Sequence, residues 1–187
     1  MTETTDIETE SNRQTMAATF EAWRDGAEPF PATWANDMVW RLEGHSIASR
    51  EYVGKHEYLE QFVKPFGARF LASERFRPTN IRSVHADGNT VIVLWDGRGI
   101  AMDGKPYENT YAFFMQMRDG QVVDMTALTD SISLDELLDR VQPAAHADSS
   151  RQDVGHAASP GRYQPWRPAS THPSDVLLAV SGIASVL

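Results

Sequence analysis

Asn109 and Tyr111 stand two residues apart in the segment KPYENTYAFFMQMRDG, so on a strand they share one face with Phe113 and Met115. Their amide and phenol groups could hydrogen-bond a carbonyl, a hydroxyl or a water molecule. His45 sits in a polar stretch after MVWRLEG, and an imidazole there would have a pKa suited to acid or base work near neutrality. Asp96 and Arg98 alternate with Gly97 and Gly99, offering an acid and a cation beside a pair of glycines. No pair of histidines has metal-ligand spacing, and no phosphate loop, dinucleotide fingerprint or nucleophile elbow occurs, so neither a metal nor a cofactor is expected.

The elements that would carry these residues can be read from periodicity. From Ser11 the apolar residues Met16, Phe20 and Trp23 form one helical stripe, with Ser11 or Asn12 as N-cap and Gly26 as terminator. In EPFPATWAND, Phe30 and Trp34 lie one helical turn apart and predict a short second helix. The strand MVWRLEG follows, in which Trp40 and Leu42 share one face and Arg41 and Glu43 the other. Lys55 opens a third helix whose apolar face holds Tyr58, Leu59, Phe62, Val63 and Phe66, with Pro65 kinking or ending it.

After Arg77 the pattern changes to period two. Four strands are separated by the turns Asp87-Gly88, Asp103-Gly104 and Asp119-Gly120, which predicts an antiparallel meander. Gly97 and Gly99 inside its second strand read as a bulge or bend. SLDELLDRV gives a closing amphipathic helix capped by Ser133 and ended by Pro143, with Asp130 capping or bracing its start.

Composition sets the bounds. The chain has 187 residues, 41% hydrophobic and 23% charged, which suits one domain with tails. A net charge of −9 and a pI near 5.1, with no Lys/Arg cluster, exclude a nucleic-acid partner. Cysteine is absent, and the acidic start MTETTDIETESNR is unlike a signal peptide, so a cytoplasmic location is expected. The organisation expected is a disordered lead-in over 1–12, one domain over 13–142, and a flexible tail over 143–187. The tail's apolar end is too short to span a membrane, so no membrane partner is expected.

The order of helix, short helix, strand, helix and curled meander resembles the cone-shaped α+β roll shared by nuclear transport factor 2, ketosteroid isomerase and the SnoaL-like polyketide cyclases. WRLEGHSIASREYVGK resembles the SnoaL-like entry to the third helix, and ADGNTVIVLWDGRGIAMDGKPYENTYAFFMQMRDGQVVDMTALTDS resembles that family's long hairpins. The resemblance covers about residues 13–142. It implies N-terminal helices packed on a curved antiparallel sheet that encloses a pocket for a hydrophobic small molecule.

It further implies a cofactor-free isomerase, cyclase or hydrolase acting on a steroid-, polyketide- or terpenoid-like substrate by acid-base chemistry; the alternative is a non-catalytic binding or dimerisation module. On the isomerase pattern the base falls at Leu42, with Glu43 the nearest carboxylate, and the protonated acid falls at Phe113, which makes the Asn109–Tyr111 face the pocket face. Thr19 or Phe20 stands where the isomerase has its tyrosine. The His and Asp usual in the cyclases' final strand are missing from DMTALTD, where Asp124 and Asp130 share the face opposite Met125. Asp96 with Arg98 supplies part of the acid-cation-acid set of the epoxide hydrolases. His45 would lie near the mouth.

The expected catalytic candidates are therefore Tyr111, Asn109, Glu43, His45 and Asp96. The expected lining is Phe20, Trp23, Trp40, Leu42, Phe62, Phe113, Met115 and Met125. A homodimer through the sheet's outer face is expected, Phe114 being opposite in parity to Tyr111 and Phe113.

Overall fold

The computed structural model describes residues 2–27 and 32–143. Helix α1 (Thr2–Arg24) is followed by strands β1 (Trp34–Leu42) and β2 (Glu51–Val53). A helical segment comes next, made of α2 (Lys55–Tyr58), a π-helical turn (Leu59–Val63) and α3 (Lys64–Gly67). Strands β3 (Arg77–Asp87), β4 (Thr90–Ile100), β5 (Pro106–Arg118) and β6 (Gln121–Thr129) form the meander, and α4 (Ser131–Arg140) closes the fold. The six strands make one sheet in the order β2-β1-β6-β5-β4-β3.

This is the expected α+β roll, with one correction to its sheet. The meander is antiparallel, but β1 lies parallel to β6, with Trp40 opposite Met125 and Leu42 opposite Ala127. The sheet is therefore mixed, because the helical segment carries the chain across between β2 and β3. Strand alternation holds as read: on β5 the odd-numbered Tyr107 to Met117 are buried and Glu108, Phe114 and Gln116 are exposed. The β5–β6 turn sets both Asp119 (φ 54°) and Gly120 (φ 72°) in the left-handed region, as a tight two-residue hairpin requires.

Three local readings are revised. The helix expected to start at Ser11 or Asn12 begins at Thr2 and takes in residues read as a lead-in. It is tied to the β3–β4 turn, where Gly88 N donates to Thr9 Oγ1 at 3.0 Å and Asn12 Nδ2 donates to Gly88 O and Asn89 Oδ1. The short helix expected around Phe30 and Trp34 is absent at Trp34, which opens β1, while Phe30 lies outside the described residues. The ring of Trp34 packs against Tyr58 at 5.1 Å, a contact that outweighs the local helical spacing. The tail beyond residue 143 also lies outside the described residues.

Gly97 and Gly99 do not form a bulge. Strand β4 runs in unbroken register with β5 through both, and the irregularities fall on β3, at Pro78/Asn80 and Ile81/Ser83. The glycines instead allow close approach: a Cβ on Gly97 would sit 2.3 Å from Phe76 Cζ, and one on Gly99 2.7 Å from Phe70 Cδ1. Pro65 does not end its helix either. Its missing N–H and its clash with the carbonyl four residues back are absorbed by the wider π turn before it, and Pro65 stands in the first turn of α3, which Lys64 opens. Finally, Asp130 rather than Ser133 is the N-cap of α4, accepting from Ile132 N at 2.9 Å and from Ser133 Oγ at 2.7 Å.

Candidate functional site

Between the helical segment, the end of α1 and the concave face of the sheet lies a cavity of about 530 Å³. Its walls are aromatic: Trp23, Trp34, Trp40, Tyr58, Phe62, Phe66, Phe70, Phe76, Trp95, Tyr111 and Phe113 all line it. The rings brace one another. Trp95 stacks on Tyr111 at 4.4 Å and 15°, and Trp40 stacks on Tyr58 at 4.3 Å and 25°. Phe76, seated on Gly97 and Gly99, meets Tyr107 and Tyr111 at 5.6 and 5.8 Å. Such contacts hold a preformed apolar space without filling it.

Polar groups enter the walls at few points. The Tyr111 hydroxyl lies 2.8 Å from that of Tyr107, which in turn receives Asn109 Nδ2 at 2.9 Å. The Asn109 amide has its orientation fixed by backbone: Nδ2 also donates to Asp130 O at 3.0 Å, while Oδ1 accepts from Thr110 N and Asp130 N. Tyr107 therefore accepts from Asn109, and its remaining neighbour is Tyr111. The Tyr107–Tyr111 bond can run in either direction, and the Tyr111 hydroxyl also has the Thr129 side chain as a partner. Burial pushes the Tyr111 phenol well above its usual pKa, so at neutral pH it is a proton donor. Tyr58, also lining and 6% exposed, makes no hydrogen bond through its hydroxyl among the described residues, and burial raises its pKa likewise. Thr129 adds a hydroxyl whose proton goes to Thr110 O at 3.1 Å.

The sequence matches the model of the SnoaL-like domain over residues 16–125, more than half of the chain. The protein belongs to the SnoaL-like family. No curated protein matches it. Among solved structures, Bal32a from a soil-derived mobile gene cassette is 18% identical, with 70% of this chain and 98% of that one covered and a TM-score of 0.57. TerC, co-crystallised with polyporic acid, is 17% identical, covers 69% and 98%, and has a TM-score of 0.53. A candidate SnoaL-like polyketide cyclase from Jannaschia sp. CCS1 is 16% identical, covers 71% and 94%, and has a TM-score of 0.53. At these identities the likeness shows the shared NTF2-like fold.

Within this SnoaL-like domain the expected site residues separate. Trp23, Trp40, Leu42, Phe62, Phe113 and Tyr111 line the cavity. Phe20, Met115 and Met125 are buried in the core and are not part of its wall; Met125 Sδ accepts from Trp40 Nε1 at 3.1 Å. Asn109 stands behind the wall, wholly engaged by Tyr107 and the backbone. Glu43 and His45 are exposed in the loop after β1, outside the lining. Asp96 is on the outer face, accepting from Thr110 Oγ1 and Arg82 Nε at 2.8 Å each. With β4 unbulged, nothing turns it inward.

Sequence reasoning missed Tyr58, Trp95 and Phe76 as lining groups. Trp95 shares its face with the buried Val91 and Val93, a period-two signal that parity alone would have found. Among the described residues no cluster of His, Asp and Glu could hold a metal ion, and no helix is long and apolar enough to cross a membrane.

Proposed function

We propose that this SnoaL-like domain takes a hydrophobic molecule bearing a carbonyl or quinone oxygen into the cavity and promotes its isomerisation or ring closure, with Tyr111 as the hydrogen-bond donor. The observation that carries this reading is the Asn109–Tyr107–Tyr111 chain of hydrogen bonds, anchored on backbone and ending at an aromatic wall. In an aldol-type closure an enol carbon attacks the carbonyl carbon: the C–C bond forms as the C=O π bond breaks, the enol proton leaves to solvent, and the resulting alkoxide finally takes a proton from solvent. Before that last step negative charge builds on the former carbonyl oxygen, where a fixed neutral phenol stabilises it. Polyketide-, steroid- and terpenoid-like compounds of this description fit the apolar lining, and the polyporic acid held by TerC is consistent with them.

A second reading, ligand binding without turnover, is favoured by one observation: among the described lining residues there is no carboxylate or imidazole to take a proton from carbon. Titration separates the two. Four tryptophans line the cavity, so binding of a panel of enones, quinones and terpenoid epoxides is read by intrinsic fluorescence, and conversion by chromatography of the same mixtures. Conversion lowered in Tyr111→Phe supports the catalyst; binding with no conversion of any compound supports the binder, and no binding at all overturns both. Assembly as a homodimer through the sheet's outer face and a cytoplasmic location belong to the same proposal, the former supported by exposed Phe114 and Leu128.

A further inference from the structure

The charged side chains that line the cavity are all of one sign. Lys64, Arg75 and Arg77 stand at its rim, and no Asp or Glu joins them among the described residues, in a chain carrying 26 acids against 17 bases. Arg77 differs from the rest. Arg13, Arg24, Arg41, Arg50, Arg82, Arg98, Arg118 and Arg140 each face a carboxylate, and Arg69 donates to the carbonyls of Pro65 and Val141. Arg77, half-buried at the first residue of β3, makes no ion pair and no hydrogen bond through its guanidinium among the described residues.

Position adds to this. An Arg77 guanidinium nitrogen would lie 3.6 Å from a Cβ built on Gly26, so the side chain reaches across to the end of α1 at the mouth. Asp25, next to Gly26, is already engaged by Arg24 at 3.1 Å, and Lys64 by Glu60. A half-buried arginine without a carboxylate is the exception in a protein with acids to spare for its other arginines.

We propose that the ligand is an amphipathic anion: an aromatic body in the cavity and an ionised oxygen group, such as a carboxylate, bound at the mouth by Arg77. The guanidinium fork matches a carboxylate in two parallel hydrogen bonds, and low-dielectric aromatic walls focus its field on an entering anion. The inner carbonyl then meets Tyr111 while the charge stays at the rim. This rests on the reading of the cavity as the ligand site, and it narrows the ligand class.

The test uses the full chain with two probes that share one ring system, anthraquinone-2-carboxylate and its methyl ester, followed by tryptophan quenching. The expected result is roughly tenfold tighter binding of the acid at low ionic strength, a margin that shrinks as salt is added. In Arg77→Gln the acid and ester bind alike, and Arg77→Lys restores part of the difference. Should Arg77→Gln fail to fold, the salt dependence and the acid/ester ratio of the unaltered chain decide. Equal affinities in that chain, or an acid preference that survives in folded Arg77→Gln, overturn this inference alone. If neither probe binds, the reading of the cavity as a ligand site falls with it.

Discussion

The hydroxyls of Tyr107 and Tyr111 lie 2.8 Å apart, and the amide that fixes the first is itself fixed by the backbone at Asp130. The position of the Tyr111 hydroxyl in the cavity wall is thus set by a strand end and a helix cap rather than by a mobile side chain.

Tyr111→Phe keeps the ring that stacks on Trp95 but removes its hydroxyl. The expected stability loss is about 1 kcal/mol, that of one buried hydrogen bond. Conversion of a carbonyl substrate is expected to fall by about a hundredfold, as for loss of one donor to a developing oxyanion. Denaturant melts and initial rates on one preparation check both; an unchanged rate would make the hydroxyl a packing group.

Asn109→Ala should act chiefly on stability. It leaves Asp130 O and the Asp130 and Thr110 N–H groups without their side-chain partner, at a cost of about 2–3 kcal/mol. Urea unfolding measures the loss; a cost below 1 kcal/mol would show that water replaces the amide.

Much of this site could be read from alternation, and its limits were those of depth. Parity correctly set Tyr111 and Phe113 inward and Phe114 outward, because β5 is long and its two faces differ in polarity. Parity says which face a residue is on, not how far along that face the cavity extends, so Phe20, Met115 and Met125 are expected in the wall but are core residues outside the lining. Tyr58 shows in the sequence only as part of an apolar stripe, since helical spacing does not distinguish a phenol in the core from one at a cavity. The early part of α1 was invisible because its anchors, Thr9 and Asn12, are polar and bind a turn far away in sequence.

Gly97→Ala places a methyl group where Phe76 now lies, at 2.3 Å, so the ring must move toward the cavity. The expected outcome is a loss of about 1–3 kcal/mol, as for overpacking, with weaker binding of every ligand in a fluorescence titration. Unaltered stability and affinity would mean that Phe76 has room to retreat.

Asp96 is held below the ordinary carboxylate pKa of 3.8, first by its hydrogen bond with Arg82 and also by Thr110 and Asn80. A carboxyl lowered in the folded state contributes stability that is full above 3.8 and lost as the pH falls through the lowered value. Asp96→Asn should therefore cost stability at pH 7, and the difference from the unaltered chain should shrink below pH 3.8. A constant difference across paired urea melts at pH 7 and pH 3 would contradict the ion pair's role.

Phe114 is 39% exposed and Leu128 44% exposed on the convex face. If that face joins two copies, Phe114→Lys should convert a dimer to a monomer in light scattering at micromolar concentration while secondary structure is retained. A monomer before substitution removes the proposal.

The parallel pairing of β1 with β6 sets an order on assembly. Trp40 and Leu42 find Met125 and Ala127 across some 85 residues of intervening chain, and until β6 has been synthesised β1 can pair only with the three-residue β2. A chain growing from its N-terminus would thus carry an aromatic half-wall exposed until nearly the whole domain had emerged. Such distant closure slows folding. Aggregation during synthesis, more than unfolding of the finished domain, is then the hazard this topology brings.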